Sequence, residues 1–207
     1  MRYKGNSLLN HGDLSILSFH ATKVFNTFEG GAIVCRDAQQ KRHIDNLKNF
    51  GFVDEVTVME TGINGKMSEF NAAFGLLQLK HIDKALERRK TIAAQYRAAL
   101  SAVSGITLLP EHEHTLTNTS YFPILINKEY PSARDDLYEE MKQQGIYARR
   151  YFYPLISDMP MYRGLPGTGK DVLTTARRIA AEVICLPLYP SMSDQEVGAV
   201  IQSVITP

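Results

Sequence analysis

The chain of 207 residues lacks several features that mark whole classes of protein. Its 23 lysines and arginines nearly balance its 22 aspartates and glutamates, so no charge excess is present to attract nucleic acid or an anionic membrane. No stretch approaches the roughly 20 apolar residues of a membrane span, and the N-terminus lacks the apolar segment of a signal peptide. We therefore expect a cytoplasmic protein that binds neither nucleic acid nor membranes.

Cysteine is also scarce. The two cysteines, Cys35 and Cys185, both lie in apolar runs typical of strands. This pattern favours buried thiols in a reducing compartment over a disulfide framework. A disulfide between the two residues is left open by the sequence.

The most informative stretch surrounds Lys23. Residues 14–19 form an apolar run that predicts a strand buried on both faces. Gly30 and Gly31 then break the chain, and residues 32–35 predict a second strand. Lys23 is therefore expected in the loop that joins the two strands.

The sequence allows two interpretations of Lys23. A lysine at a hairpin tip is ordinarily a solvated cation. Alternatively, the apolar bulk of Phe19, Val24, Phe25 and Phe28 could shield the amine from water, so that enough of it is uncharged to attack a carbonyl. Composition alone does not decide between these interpretations.

The wider pattern resembles a known family in two blocks. The first block is Gly12-Asp13, then Ser18-Phe19-His20-Ala21-Thr22-Lys23, then Glu29-Gly30-Gly31-Ala32-Ile33-Val34. The second is Gly62-Ile63-Asn64-Gly65-Lys66-Met67-Ser68-Glu69-Phe70-Asn71-Ala72-Ala73-Phe74-Gly75-Leu76-Leu77-Gln78-Leu79. Both blocks, in this order, resemble the pyridoxal-phosphate lysine region of the DegT/DnrJ/EryC1/StrS sugar aminotransferases.

This resemblance implies the α/β fold class, as the C-terminal part of a fold-type I aminotransferase. Residues 1–103 would be the end of the large cofactor-binding domain with its linking helices, and residues 104–207 a small α/β domain. In the family, more of the large domain precedes such a sequence, including the residues that stack on the cofactor ring and pair a carboxylate with its nitrogen. We therefore expect this chain, taken alone, to be inactive or nearly so.

The resemblance also implies a reaction. Family members use pyridoxal 5'-phosphate to transfer an amino group, usually from glutamate, to a nucleotide-linked keto-sugar. We expect a substrate of the dTDP-4-keto-6-deoxyhexose type, used in polysaccharide or O-antigen biosynthesis, and a homodimer whose subunits share each site. An alternative from another class is a non-catalytic fragment or pseudoenzyme that acts as a self-associating module.

Three residues carry the implied site. Lys23 would bind the cofactor covalently and later move a proton between substrate and cofactor. Ser18 would bind the cofactor phosphate through its hydroxyl, although a serine at a strand end could equally cap local backbone. Asn64 would reach the phosphate bound to the neighbouring subunit, although a loop asparagine also suits left-handed backbone.

Other segments are weaker candidates. His20 is a candidate hydrogen-bond partner near the site, and Arg149, Arg150 and Tyr151 lie where the family's small domain faces it. Two departures from the family pattern, Gly65 in place of an aromatic residue and Ile156 in place of a histidine, weaken any detailed assignment of substrate contacts.

Two decoys are set aside. Residues 164–170 have the glycine and lysine spacing of a phosphate-binding loop, but Asp171 follows where serine or threonine is required and no buried strand precedes. Residues 111–114 alternate glutamate and histidine in a boundary loop, which points to solvated side chains rather than a metal site.

Apolar periodicity and caps predict the remaining elements. We expect helices at residues 37–50, from Ser68, from Asp83, and at 134–144, 171–183 and 193–205, and strands at 121–126, 146–152 and 184–186. The last helix is expected to begin with a capping box at Ser193.

Overall fold

A computed structural model describes residues 1–206 as a mixed helical and stranded chain. Two single-turn 3-10 helices, Leu8–Asn10 and Ile156–Asp158, accompany the longer elements. The strands are β1 (Arg2–Tyr3), β2 (Asn6–Ser7), β3 (Ser15–Ser18), β4 (Gly31–Val34), β5 (Ile106–Leu108), β6 (Thr115–Leu116), β7 (Phe122–Ile126) and β8 (Val183–Leu186). The helices are α1 (Ala38–Leu47), α2 (Glu69–Leu79), α3 (Ile82–Leu100), α4 (Arg134–Gln143), α5 (Thr174–Glu182) and α6 (Asp194–Ile205).

The chain divides into two compact units. The first unit contains Met1–Lys84 and His112–Asn118, and the second contains Ala85–Glu111 and the chain from Thr119 onward. The division falls inside α3, which therefore contributes to both. The assignment of residues 1–103 and 104–207 to the large and small domains of a longer enzyme stays a prediction.

The first unit is built on two small antiparallel sheets. In one, β1 lies between β2 and β6. In the other, β3 pairs with β4 so that Ser15 faces Val34 and Ser18 faces Gly31. The expected strand before Lys23 is present, but its predicted burial on both faces is wrong: burial alternates along β3, and Ile16 is 81% exposed. In this two-stranded sheet at most one face packs against other residues, which explains why burial alternates along β3.

The predicted helix start at Ser68 is confirmed, whereas the helix expected from Asp171 begins only at Thr174, without a side-chain cap. The Asp37 carboxylate accepts a hydrogen bond from the Gln40 N–H at 2.7 Å, and Ser68 Oγ accepts from the Asn71 N–H at 3.2 Å. The capping box of α6 is confirmed, since Ser193 and Glu196 exchange side-chain and backbone hydrogen bonds. These contacts span three residues, so they can be predicted from sequence alone.

The second unit holds the hydrophobic core of the described chain. Its sheet is antiparallel in the order β5-β7-β8, with β7 in the centre. The helices α3, α4 and α6 pack their apolar sides around it. The fully buried side chains include Ile92, Tyr96, Leu100, Ile124, Leu137, Met141, Ile184, Val197 and Val204.

Buried polar groups tie this core together. Arg134 is 4% exposed and donates to the carbonyls of Ala180 and Val183 at 3.0 and 2.7 Å. The Tyr96 hydroxyl donates to the Pro187 carbonyl at 2.7 Å, and burial raises the pKa of this phenol well above its ordinary value. Both of these buried groups thus have backbone acceptors, as burial of a polar group requires.

One predicted strand is wrong. Residues 146–152 do not form a strand, and Arg149 alone makes an isolated bridge to Cys185 at the free edge of β8. The reason is geometric: after this single exchange of hydrogen bonds the chain turns away from β8 at Tyr151. The apolar and aromatic content of residues 146–152 predicted a strand, but the segment pairs with β8 at Arg149 alone.

No helix within residues 1–206 is long and apolar enough to cross a membrane.

Replacing Tyr96 by phenylalanine tests the contribution of a buried hydrogen bond to the stability of the core. Tyr96→Phe should lower the free energy of unfolding of the second unit by about 1–3 kcal/mol, because the Pro187 carbonyl loses its donor inside the protein. Chemical denaturation followed by amide exchange in α3 and β8 would measure this change.

The matched control is Tyr147→Phe, since Tyr147 is 73% exposed. Its effect should stay within about 0.5 kcal/mol. Equal effects of the two substitutions would contradict the assigned role of the Tyr96 hydroxyl.

Candidate active site

Residues 19–30, here called the lysine loop, join β3 to β4 and carry Lys23. The loop is closed at its base by two backbone hydrogen bonds, from Phe19 N–H to the Gly30 carbonyl and from Thr27 N–H to the Phe19 carbonyl, both 2.9 Å. Within it, Lys23 N–H donates to the His20 carbonyl at 2.9 Å and so forms a tight turn. The expected position of Lys23 in a loop between two strands is confirmed.

The surroundings of Lys23 differ from the shielded environment that the apolar neighbours suggested. Lys23 is exposed, whereas Val24 and Phe25 are half-buried. Phe25 packs edge-on against Phe19, with ring centroids 4.9 Å apart. Phe19 and Phe25 therefore pack on each other and leave Lys23 exposed.

Ser18 ends β3 and is exposed. Its Oγ accepts a hydrogen bond from the His20 N–H at 3.4 Å, which leaves its own O–H free to donate to another group. Ser18 can therefore cap local backbone and bind a phosphate at the same time. The cap uses its hydroxyl oxygen as acceptor, and phosphate binding would use its hydroxyl proton as donor.

His20 is held by its neighbours inside the loop. Its Nδ1 accepts from the Thr22 N–H at 3.2 Å and lies 2.9 Å from Thr22 Oγ1. Because Nδ1 accepts from a backbone donor, the ring proton belongs on Nε2, which lies 3.6 Å from Glu29 Oε1. His20 therefore stabilises the loop conformation.

Helix α2 packs directly against the lysine loop, so the two sequence blocks form one structure. The Asn71 side-chain amide donates to the carbonyls of Thr27 and Glu29. The ring of Phe74 stacks on Phe28 with centroids 4.6 Å apart. A Cβ added at the buried Gly75 would lie 2.8 Å from the Thr27 methyl group, so only glycine allows this approach.

The apolar spacing of α2 predicts one buried stripe that includes Phe70 and Leu77, and this prediction is wrong. Phe70 is 91% exposed and Leu77 is 56% exposed. The physical reason is that α2 contacts the loop through Asn71, Phe74 and Gly75, which lie on a narrower face. Helical spacing identified the apolar positions of α2, but it did not identify which of these positions pack against another segment.

Asn64 lies on a separate loop of the first unit. It is exposed and forms an isolated bridge with Asn49, just after α1. Hydrogen bonds from Ile63 N–H to the Leu47 carbonyl and from Gly65 N–H to the Lys48 carbonyl, both 2.8 Å, fix the backbone on either side. None of the hydrogen bonds within residues 1–206 joins Asn64 to the lysine loop.

The second unit carries an exposed aromatic and arginine cluster. Arg149 donates to the Tyr151 hydroxyl at 2.6 Å, and Tyr151 stacks on Phe152, which is 72% exposed. Nearby, burial raises the pKa of the Cys185 thiol to about 11, so this thiol is protonated at neutral pH. Both Cys35 and Cys185 are free thiols, and Cys35 is only half-buried.

The two decoy segments lie in loops. In residues 164–170, Thr168 Oγ1 donates to the Leu165 carbonyl at 2.7 Å, and α5 begins only at Thr174. Across residues 1–206, no three histidine, cysteine, aspartate or glutamate side chains are grouped to hold a metal ion.

Sequence reasoning missed two residues of this site, Thr27 and Asn71. Thr27 is 1% exposed, and its Oγ1 donates to the Glu29 carbonyl at 2.8 Å. Asn71 lies 44 residues further along the chain. Asn71 is inside the second matched block and Thr27 lies in the gap within the first, but no local spacing signals a contact over that separation.

The fold and this loop define a class: a mixed α/β protein that presents one exposed lysine on a hairpin loop buttressed by a helix. Residues 1–205 match the DegT/DnrJ/EryC1/StrS aminotransferase family. The chain belongs to this family, as the two sequence blocks indicated. The expected fold class is likewise confirmed.

Similar proteins agree with this placement. The dTDP-4-amino-4,6-dideoxy-D-glucose transaminase of Shigella dysenteriae is 48% identical over 96% of this chain and 53% of its own length. The crystal structure of DesI with its TDP-sugar product is 35% identical, with a TM-score of 0.82 over 93% of this chain and 48% of that one. The PLP form of Spr1654 from Streptococcus pneumoniae, 24% identical over 99% of this chain and 54% of that one, shares the fold with a TM-score of 0.89. The chain thus spans about half the length of these relatives.

Adding a methyl group at position 75 tests the packing of α2 on the lysine loop. Gly75→Ala gains about 1 kcal/mol of helix propensity but must displace the buried Thr27. We expect a net loss of about 1–3 kcal/mol in the stability of α2, measured by amide exchange.

The control is Gly198→Ala in α6, where an added Cβ has nothing within 4 Å. This variant should be stabilised by about 0.5–1 kcal/mol. If both substitutions stabilised their helices, α2 would not be in tight contact with Thr27.

Proposed function

We propose that the protein transfers an amino group to the carbonyl of a nucleotide-linked keto-sugar with pyridoxal 5'-phosphate as its cofactor. The observation that carries this proposal is an exposed primary amine, Lys23, on a closed loop beside the free hydroxyl proton of Ser18, in a chain of this family. In this proposal residues 1–103 belong to the large domain and residues 104–207 form the small domain.

The chemistry of the donor set fits the cofactor. Pyridoxal phosphate offers an aldehyde, which requires an amine, and a phosphate, which requires hydrogen-bond donors. The Lys23 ammonium has no acidic partner among residues 1–206, so no ion pair must break before it reacts. When bound, the cofactor supplies the electron sink that makes amino transfer possible.

Lys23, Ser18 and His20 would then have separate tasks. Lys23 would hold the cofactor through Nζ and would accept and return a proton at the substrate carbon. Ser18 donates its O–H to a phosphate oxygen. His20 keeps the turn that precedes Lys23 in one conformation through its bonds to Thr22.

Asn64 is assigned to the neighbouring subunit's cofactor phosphate in a homodimer. What supports this assignment is its exposure on a loop whose backbone is fixed to the end of α1, together with its lack of a hydrogen bond to the lysine loop within residues 1–206. A side-chain amide that binds a group in a second subunit must be exposed and must not be hydrogen-bonded to its own subunit's loop.

The substrate class follows from the relatives' names. We propose a dTDP-4-keto-6-deoxyhexose as amino acceptor, glutamate as donor and the cytoplasm as the compartment, in polysaccharide or O-antigen biosynthesis. The Shigella relative is named for a dTDP-linked 4-amino sugar, and DesI was solved with a TDP-sugar.

A non-catalytic role is the second candidate. It is favoured by the apolar exposure of the first unit, where Phe70 and Ile16 are 91% and 81% exposed. Side chains of this kind favour association with another protein surface. In that case the chain would act as a self-associating module without turnover.

Lys23→Ala is the direct test of the cofactor assignment. The chain is incubated with pyridoxal phosphate, reduced with borohydride and digested, and the pyridoxyl group is located by mass spectrometry. We expect the label on Lys23, and its loss in Lys23→Ala, because reduction traps only an amine already bound to the aldehyde.

Lys80→Ala serves as the control, since Lys80 is also exposed. It should leave the labelling of Lys23 unchanged. Uniform labelling of all lysines would sink the assignment. Selective labelling of Lys23 also separates the two candidate functions, because a module without cofactor chemistry predicts none. An amination assay would not separate them, since this chain taken alone is expected to be nearly inactive in either case.

A further inference from the structure

We infer that Asn71 is a positioning residue, which holds the lysine loop in the conformation that presents Lys23. This inference rests on the proposed function for the role of Lys23. The stabilisation of the loop by Asn71 rests on hydrogen bonds that the structure shows.

The Asn71 side chain is oriented without ambiguity by its partners. Its Nδ2 donates to the carbonyl oxygens of Thr27 and Glu29, the second at 2.9 Å, and its Oδ1 accepts from the Ser68 hydroxyl. Turning the amide over would bring Oδ1 against two carbonyl oxygens. Only an NH₂ group at this position satisfies both acceptors.

The two carbonyls lie on either side of a strained residue. Phe28 adopts a φ of 64°, a left-handed conformation that costs a side-chain-bearing residue on the order of 1 kcal/mol. Thr27 Oγ1 also donates to the Glu29 carbonyl. The Asn71 amide therefore bridges the reversal at Phe28 from one side to the other and offsets its strain.

This fixed reversal connects to Lys23 through short links. Thr27 N–H donates to the Phe19 carbonyl and closes the loop, and Asn26 Nδ2 donates to the Lys23 carbonyl at 3.3 Å. A displacement of Thr27 would open the closure and release the turn that contains Lys23. Asn71 thus influences the position of Lys23 through the backbone of the loop, and not through a contact with the Lys23 Nζ.

The side chain of Asn71 is not needed to start α2. Ser68 Oγ caps the helix through the backbone N–H of Asn71, a bond that any residue at position 71 can make. A substitution that keeps this N–H but removes the amide donors should therefore loosen the loop and leave the helix in place.

Asn71→Asp is the sharpest variant. It keeps the shape and the oxygen that accepts from Ser68, but it sets a second oxygen against the Thr27 and Glu29 carbonyls. In hydrogen exchange of the 207-residue chain, amides of residues 26–31 should exchange about tenfold faster, as expected when two hydrogen bonds are lost. Amides in the C-terminal half of α2 should change little.

Two further variants separate charge from hydrogen bonding. Asn71→Ala removes the donors without adding charge and should also speed exchange in residues 26–31. Gln78→Glu makes the same amide-to-carboxylate change in the same helix, at a side chain that makes no hydrogen bond within residues 1–206. It should leave exchange in the lysine loop unchanged.

The second measurement connects the loop to Lys23. After incubation with pyridoxal phosphate and borohydride reduction, the ratio of label on Lys23 to label on Lys80 should fall about tenfold in Asn71→Asp and Asn71→Ala, and stay constant in Gln78→Glu. General unfolding would also lower this ratio, so the ratio is interpreted only where amide exchange in the C-terminal half of α2 stays unchanged.

The outcomes are distinct. Unchanged exchange in residues 26–31 of both Asn71 variants would overturn the inference. Faster exchange with an unchanged Lys23-to-Lys80 ratio would overturn the positioning of Lys23. If the wild-type chain shows no preference for Lys23, the proposed function fails, while faster exchange in the variants still supports the hold of Asn71 on the loop.

Discussion

The contact between helix α2 and the lysine loop is the constraint on which the first unit depends. Gly75 allows the helix to approach Thr27, and at that distance the Asn71 amide reaches two carbonyls of the loop. Without this approach, the left-handed reversal at Phe28 would have no support outside the hairpin. The conformation around Lys23 is thus determined by a helix more than 40 residues further along the chain.

The two units are stabilised in different ways. The second unit has a dry core around β7, in which buried polar groups such as Arg134 and Tyr96 donate to backbone carbonyls. The first unit contains the lysine loop and no comparable core among its described residues, and its Phe70 and Ile16 are almost fully accessible to solvent. The second unit therefore contains most of the buried core, and the first contains the candidate site. Because amide exchange reports on each region separately, it can test the stability of either unit.

The site assigns separate tasks to residues that look alike in sequence. Ser18 and Ser68 both accept a backbone hydrogen bond, but Ser68 starts a helix while Ser18 keeps an exposed hydroxyl next to the lysine loop. Asn64 and Asn71 both lie in the second sequence block, yet Asn71 bonds to the loop of its own chain and Asn64 does not. Their different partners, rather than their residue types, support the different roles proposed for them.

The sequence by itself determined the family, the loop that carries Lys23, and the helix starts at Ser68 and Ser193, because these depend on contacts within a few residues or on motifs read in order. It did not determine how far two segments pair or which apolar positions are buried: residues 146–152 pair with β8 at Arg149 alone, and Phe70 is 91% exposed. Nor could it identify Asn71, since one asparagine on a helix has no local signal. Only the tertiary structure decided these points, because burial and long-range hydrogen bonds depend on which segments meet after the chain has folded.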